Sequence, residues 1–128
     1  MTIALTPIAP GLWTNEPEPR LIGGRGPDGK IRFPIPEGDA GESFEPVPLS
    51  RAGKLWSWTV QRFEPKRPPY DGPEPFQPFM LGYVELPGEV VVETRLVGID
   101  SPRIGMPVQL TIVPFDDRRS TYAFTEAP

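Results

Sequence analysis

Apolar and polar positions alternate with a period of two through the second half of the chain, and that alternation predicts strands. Val90, Val92, Thr94 and Leu96 fall on one side of a segment that also holds Glu93 and Arg95. Such a pattern belongs to a sheet with one face in a core and the other in water. Met80, Val84 and Leu86 mark a preceding strand over 79–86, and Pro87-Gly88 is a strong turn signal between the two. A strand over 54–63 comes earlier. Another over 108–115 places Val108, Leu110 and Ile112 inward, and a strand over 121–124 follows a turn at 116–119. Residues 98–107 read as an irregular crossing. Five short strands of this kind predict an all-β fold, a five-stranded barrel whose closure would remove exposed edges.

The pattern upstream is different. Residues 1–20 hold Pro7, Pro10, Pro17 and Pro19. These break any helix and predict an extended N-terminal arm anchored by Ile8, Leu12 and Trp13. Trp13 and Leu12 either dock on a partner or pack on their own chain. Residues 21–50 form a turn-rich segment, with Ile31 and Phe33 in a short strand after the Pro27-Asp28-Gly29 turn, and with Phe44 and Val47 leading into Leu49. The chain thus divides into an arm (1–20), a ribbon-like segment (21–50) and a barrel (51–128). Trp56 and Trp58 are two apart on one predicted strand, which places them on one face, either in the core or as an interface anchor.

Composition narrows the chemistry. The 128 residues include no Cys and no His. That excludes a thiol nucleophile, a His general base, a disulfide framework and a Cys/His zinc site. Ser50, Ser57 and Ser101 have no histidine to activate them, and no catalytic constellation is found. The formal charge of −4 disfavours general nucleic-acid binding. No signal peptide is visible and no stretch approaches the roughly 20 apolar residues of a membrane helix, so a soluble, cytoplasmic protein is expected. The 20 prolines gather most densely between Pro65 and Pro78. That loop joins the first two barrel strands and offers Arg62, Lys66 and Arg67 for phosphates and Tyr70 and Phe76 for stacking. It is either a basic lip for an anionic ligand or a proline-stiffened cover on the barrel end.

Order and spacing of short motifs add a resemblance. Gly29-Lys-Ile-Arg-Phe33-Pro34, the turn before Gly53, and Leu55-Trp-Ser-Trp-Thr-Val60 resemble the ribbon and first strand of the acyl-CoA-associated OB-fold family known as domain of unknown function thirty-five. Val84-Glu-Leu86, Leu96-Val-Gly-Ile-Asp100, Ile104-Gly-Met-Pro-Val108 and Tyr122-Ala-Phe124 continue it, so that the match spans residues 21–125. In that family the ribbon carries two Cys-x-x-Cys pairs. Registered on Gly29, Phe33 and Pro34, those positions are Arg25, Asp28, Asp39 and Glu42 here, and no metal is expected. The four residues are either solvated or tied as an ion cluster, with Arg25 facing the three carboxylates. A carboxylate-only calcium or magnesium site is a third option, which Arg25 opposes.

The resemblance implies an OB barrel preceded by a degenerate, metal-free ribbon. It also implies a non-catalytic accessory subunit of a thiolase-fold enzyme (thiolase, aldolase or acyltransferase) acting on acyl-CoA. In such a complex a coenzyme A thioester would be a shared ligand. The alternative is a free-standing OB module for acyl-CoA or another anionic ligand.

Overall fold

The computed structural model describes residues 5–67, 71, 72 and 75–128. Strand β1 (Thr6–Pro7) lies in the arm. The ribbon holds β2 (Ile22–Arg25), β3 (Ile31–Arg32), a 3-10 turn at Gly38–Gly41 and β4 (Glu45–Pro48). The barrel follows as β5 (Ala52–Gln61), β6 (Phe79–Leu86), β7 (Val90–Leu96), β8 (Pro107–Pro114) and β9 (Arg119–Glu126). The prediction for β6 meets its bounds; β7 stops one residue short of the expected 90–97, and β8 starts and ends one residue before the expected 108–115. β5 starts and ends two residues earlier than expected, and β9 is longer at both ends.

The barrel closes in the order β5-β6-β7-β9-β8, with β8 returning to β5. Neighbours are antiparallel except β7 and β9, which run parallel through Arg95↔Ala123 and Leu96↔Phe124. The tight β6–β7 hairpin opposes Leu86 to Val90, and Gly88 supplies the positive φ of 75° that its turn requires. Alternation then sorts the side chains. Val84, Leu86, Val92, Leu96, Val108, Leu110 and Phe124 are buried in one cluster, while Tyr83, Glu85, Val91 and Glu93 face out.

The ribbon is a three-stranded antiparallel sheet, β3-β2-β4. Gly29, at φ 80°, makes the tight β2–β3 turn closed by the Gly26 N–H and the Lys30 carbonyl at 2.9 Å. Two leucines fasten this sheet to the barrel. Leu21 and Leu49 are fully buried in the same cluster as the barrel core. Two arginines cap the seam. Arg20 Nε donates to the Leu49 carbonyl at 2.8 Å, and Arg51 Nη1 donates to the Pro19 carbonyl at 2.8 Å. The described part of the arm holds no helix, as expected, and it is stitched down. β1 pairs with β9 in parallel, and Trp13 bridges to Leu21. Among the described residues no helix is long and apolar enough to cross a membrane.

Candidate ligand and partner surfaces

The pairing of β5 changes the reading of its tryptophans. A β-bulge interrupts the register between Leu55 and Ser57. Before it, Leu55 opposes Val84 and points into the core. After it, Ser57 opposes Tyr83 and Trp58 opposes Gly82. Residues directly opposite share a face, so Trp58 falls on the core side of the sheet, and Trp56 sits at the bulge. The expectation that both tryptophans share a face fails for this reason: one extra residue reverses the parity of the strand. Trp56 is 60% exposed and meets Tyr83 edge-on at 6.4 Å, while Trp58 is 37% exposed. The Gly105 N–H donates to the Leu55 carbonyl at 2.7 Å, which brings the turn carrying exposed Ile104 against the bulge. Leu12 and Trp13 are half-buried, and Trp13 packs on the core cluster.

The four knuckle positions do not form an ion cluster. Arg25, Asp28, Asp39 and Glu42 are all exposed. Asp28 takes the Lys30 N–H on Oδ1 at 3.0 Å and pairs through Oδ2 with Arg32 at 3.3 Å, so its cation is Arg32. Arg25 makes no ion pair among the described residues. Nor do the described residues contain a group of three carboxylates placed to hold a metal ion. Apolar packing holds the ribbon together instead. The Phe44 side chain lies 3.0 Å from where a Cβ would stand on Gly24 and on Gly26, and Ile35 is equally close to Gly24. Glycine at both positions therefore lets Phe44 wedge against β2 and the turn after it.

The described residues of the proline loop are tied to one another and to Arg119. Arg67 is bonded to Glu64 and donates to the Gly72 carbonyl at 2.7 Å. Phe76 meets Phe79 edge-on at 5.9 Å. At the far side of the loop, Arg119 joins Asp71 at 2.9 Å and Asp116 at 2.8 Å. Arg62 and Lys66 are exposed. Tyr70 lies outside the described residues.

A cleft that the sequence reading missed lies across the outer face of β6, β7 and β9. It has a volume of about 330 Å³ and is lined by Ile8 of the arm, Phe33 and Pro34 of the ribbon, and Leu81, Arg95 and Tyr122 of the barrel, among others. Leu81 and Arg95 are directly opposite across β6 and β7. The Arg95 guanidinium stands 3.9 Å from the Phe79 ring centre and 5.0 Å from that of Phe115. Tyr122 meets Phe33 edge-on at 5.3 Å, and its hydroxyl donates to the Glu93 carbonyl at 3.2 Å. Burial, and then the charge of Glu93, push the Tyr122 phenol above its ordinary value. Beside the cleft, the Arg118 backbone N–H and the Arg119 side chain hold Asp116 below the usual carboxylate value, and Asp116 in turn raises Arg119. The signal that could have found the cleft was Arg95 itself, a cation at an outward position of a central strand, with Phe79 opening β6 and Phe115 directly after β8.

Residues 46–113, from within β4 to within β8, match the family model for the C-terminal OB-fold domain of ChsH2. The chain belongs to this ChsH2 OB-fold family. The matched stretch holds the bulge with Trp56, the proline loop and Arg95. Among solved structures, a chain of the Ltp2-ChsH2(DUF35) aldolase is 26% identical, with a TM-score of 0.61. The similarity covers 85% of this chain and 86% of that one, so it extends beyond the barrel. The domain-thirty-five resemblance read from residues 21–125 is thereby borne out. No curated protein matches the chain.

Proposed function

We propose that this chain is a non-catalytic accessory subunit of a thiolase-fold enzyme acting on acyl-CoA substrates in the cytoplasm, and that it stabilises the partner and helps shape the acyl-CoA site. The observation that carries the reading is the near full-length similarity to a chain of the Ltp2-ChsH2(DUF35) aldolase. Two features of the molecule support it. Trp56, Tyr83 and Ile104 leave an exposed apolar patch around the β5 bulge, and aromatic residues of this kind dominate the energetics of protein interfaces. The absence of His and Cys leaves acyl-transfer chemistry to the larger subunit. Arg62 and Lys66, exposed on the loop after β5, are the cations we assign to the phosphates of a coenzyme A thioester held jointly with the partner.

Co-purification of the tagged chain from its native cell extract, with mass spectrometry, tests the pairing. A stoichiometric thiolase-like protein is expected. Trp56→Ala should then weaken the complex by about tenfold or more, since truncating an interface anchor costs roughly 2 kcal/mol. Recovery of the chain alone and monodisperse at good yield, or a complex indifferent to Trp56→Ala and Tyr83→Ala together, would overturn the proposal.

A further inference from the structure

We propose that the cleft between arm, ribbon and barrel is a binding site for a small molecule that carries one carboxylate on an apolar body. Its volume of about 330 Å³ falls within the roughly 300–1,000 Å³ of ordinary ligand pockets. Its walls are mostly apolar, from Ile8, Phe33, Leu81 and Phe115. Among the described residues one cation, Arg95, lines it. The Arg95 guanidinium is positioned by the Phe79 and Phe115 rings at 3.9 and 5.0 Å, which attract it electrostatically. Rings hold the charge but do not use the in-plane N–H donors. Among the described residues no side chain or carbonyl accepts from Arg95, and no carboxylate pairs with it.

The neighbouring cation shows the contrast. Arg119 shares the Phe115 ring at 4.8 Å, yet it is neutralised by Asp71 and Asp116. Arg95 is thus a preplaced fork of donors whose geometry matches a carboxylate. The charge the cleft tolerates is also set. Glu93 lines it too, so one anionic group meets one cation while a second would meet Glu93. That selects against the polyphosphate end of a nucleotide and in favour of a monoacid. The lining of the site includes none of Trp56, Tyr83 and Ile104, and the inference does not rest on the accessory-subunit reading. Because three separately formed parts of the chain supply its walls, an occupant would also tie arm and ribbon to the barrel.

The test is a chemical-shift titration of the full ¹⁵N-labelled chain with hexanoate, hexanamide and adipate. Hexanoate should shift the amides of Thr94, Arg95 and Thr121 in a saturable way. The amide and the dianion should each bind about tenfold more weakly, as expected for loss of a charge-assisted pair or gain of a repulsion. Arg95→Gln should lower hexanoate affinity about tenfold or more, with Arg95→Lys in between, because it keeps the charge and loses the fork. Glu93→Gln should bring adipate level with hexanoate. Equal binding of hexanoate and hexanamide by the unmodified chain would overturn the proposal whether or not the Arg95 variants fold. So would shifts that never saturate, or an Arg95→Gln chain that binds hexanoate as before.

Discussion

Replacing Leu49 by Ala should destabilise the whole molecule in one step, although Leu49 sits at the end of the ribbon. The side chain is fully buried, in a cluster that draws members from all five barrel strands, β5 to β9, as well as Leu21. Its backbone cannot move to refill the space. The Leu49 N–H is bonded to the Leu21 carbonyl at 2.8 Å, and its carbonyl accepts from Arg20 Nε at 2.8 Å. On the other side, β2 approaches so closely that a Cβ on Gly23 would stand 3.0 Å from Leu49 Cδ2. A cavity that cannot collapse belongs in the middle of the range for buried Leu→Ala, about 3 kcal/mol. For a chain of this length that lowers Tm by about 10 °C. Thermal unfolding followed by far-ultraviolet circular dichroism and by tryptophan fluorescence is the assay, and the two traces should stay coincident. If the ribbon were an independent unit, the variant would show a separate early transition with the barrel unmoved. That result, or a Tm loss under about 3 °C, would refute the shared core.

Gly53→Ala should cost about 2 kcal/mol or more by denaturant titration. The new Cβ would stand 2.7 Å from the Glu85 carbonyl oxygen, which is paired backbone and cannot swing away; an unchanged midpoint would contradict the tight β5–β6 approach. Asp116 has its pKa lowered in the fold, first by the Arg118 N–H and then by Arg119. A depressed carboxylate stabilises the fold above its unfolded pKa, and the contribution disappears as pH falls through the folded value. Tm should therefore drop more steeply below about pH 4 in the unmodified chain than in Asp116→Asn, and parallel curves would remove Asp116 from the acid response.

How far the sequence could be read depended on whether a feature was local. β6 and β7 were legible because each alternates cleanly and a Pro-Gly turn separates them. The length of β9 was not. Ser120 and Thr121 are buried although they are polar, because β1 lies against that end of the strand. Nothing within 119–126 announces a neighbour more than 100 residues earlier in the chain. The bulge at Trp56 was invisible for a related reason. No glycine or proline marks it, and it falls within the pairing with β6, which holds Lys54 and Leu55 before it and Ser57–Gln61 after it, just past the stretch Ala52–Lys54 that also pairs with β8. The candidate site shows the same limit. The two tryptophans stood out in the sequence, but their relative facing needed the register. Arg95 was read as an outward residue and no more, since Ile8, Phe33 and Tyr122 reach it only after the barrel has closed.

The ribbon poses the sharper physical question, because the positions that carry metal-binding cysteines in the resembled family hold Arg25, Asp28, Asp39 and Glu42. Their visible contribution is one exposed ion pair, Asp28 with Arg32. Such a pair is worth about 0–1 kcal/mol and weakens with salt. Against that stand two fully buried leucines, each worth about 3 kcal/mol by the reasoning above. Phe44 adds its wedge against Gly24 and Gly26. Arg20 and Arg51 add charge-assisted bonds to four carbonyls on both sides of the seam. The order of the ribbon therefore rests on its attachment to the barrel rather than on its knuckles. The strands β2 and β4 keep their pairing because Leu21 and Leu49, next to their ends, are held in the barrel core. A ribbon fastened this way has a fixed orientation, and that orientation is what brings Phe33 and Pro34 over β7 and β9 to complete the Arg95 cleft.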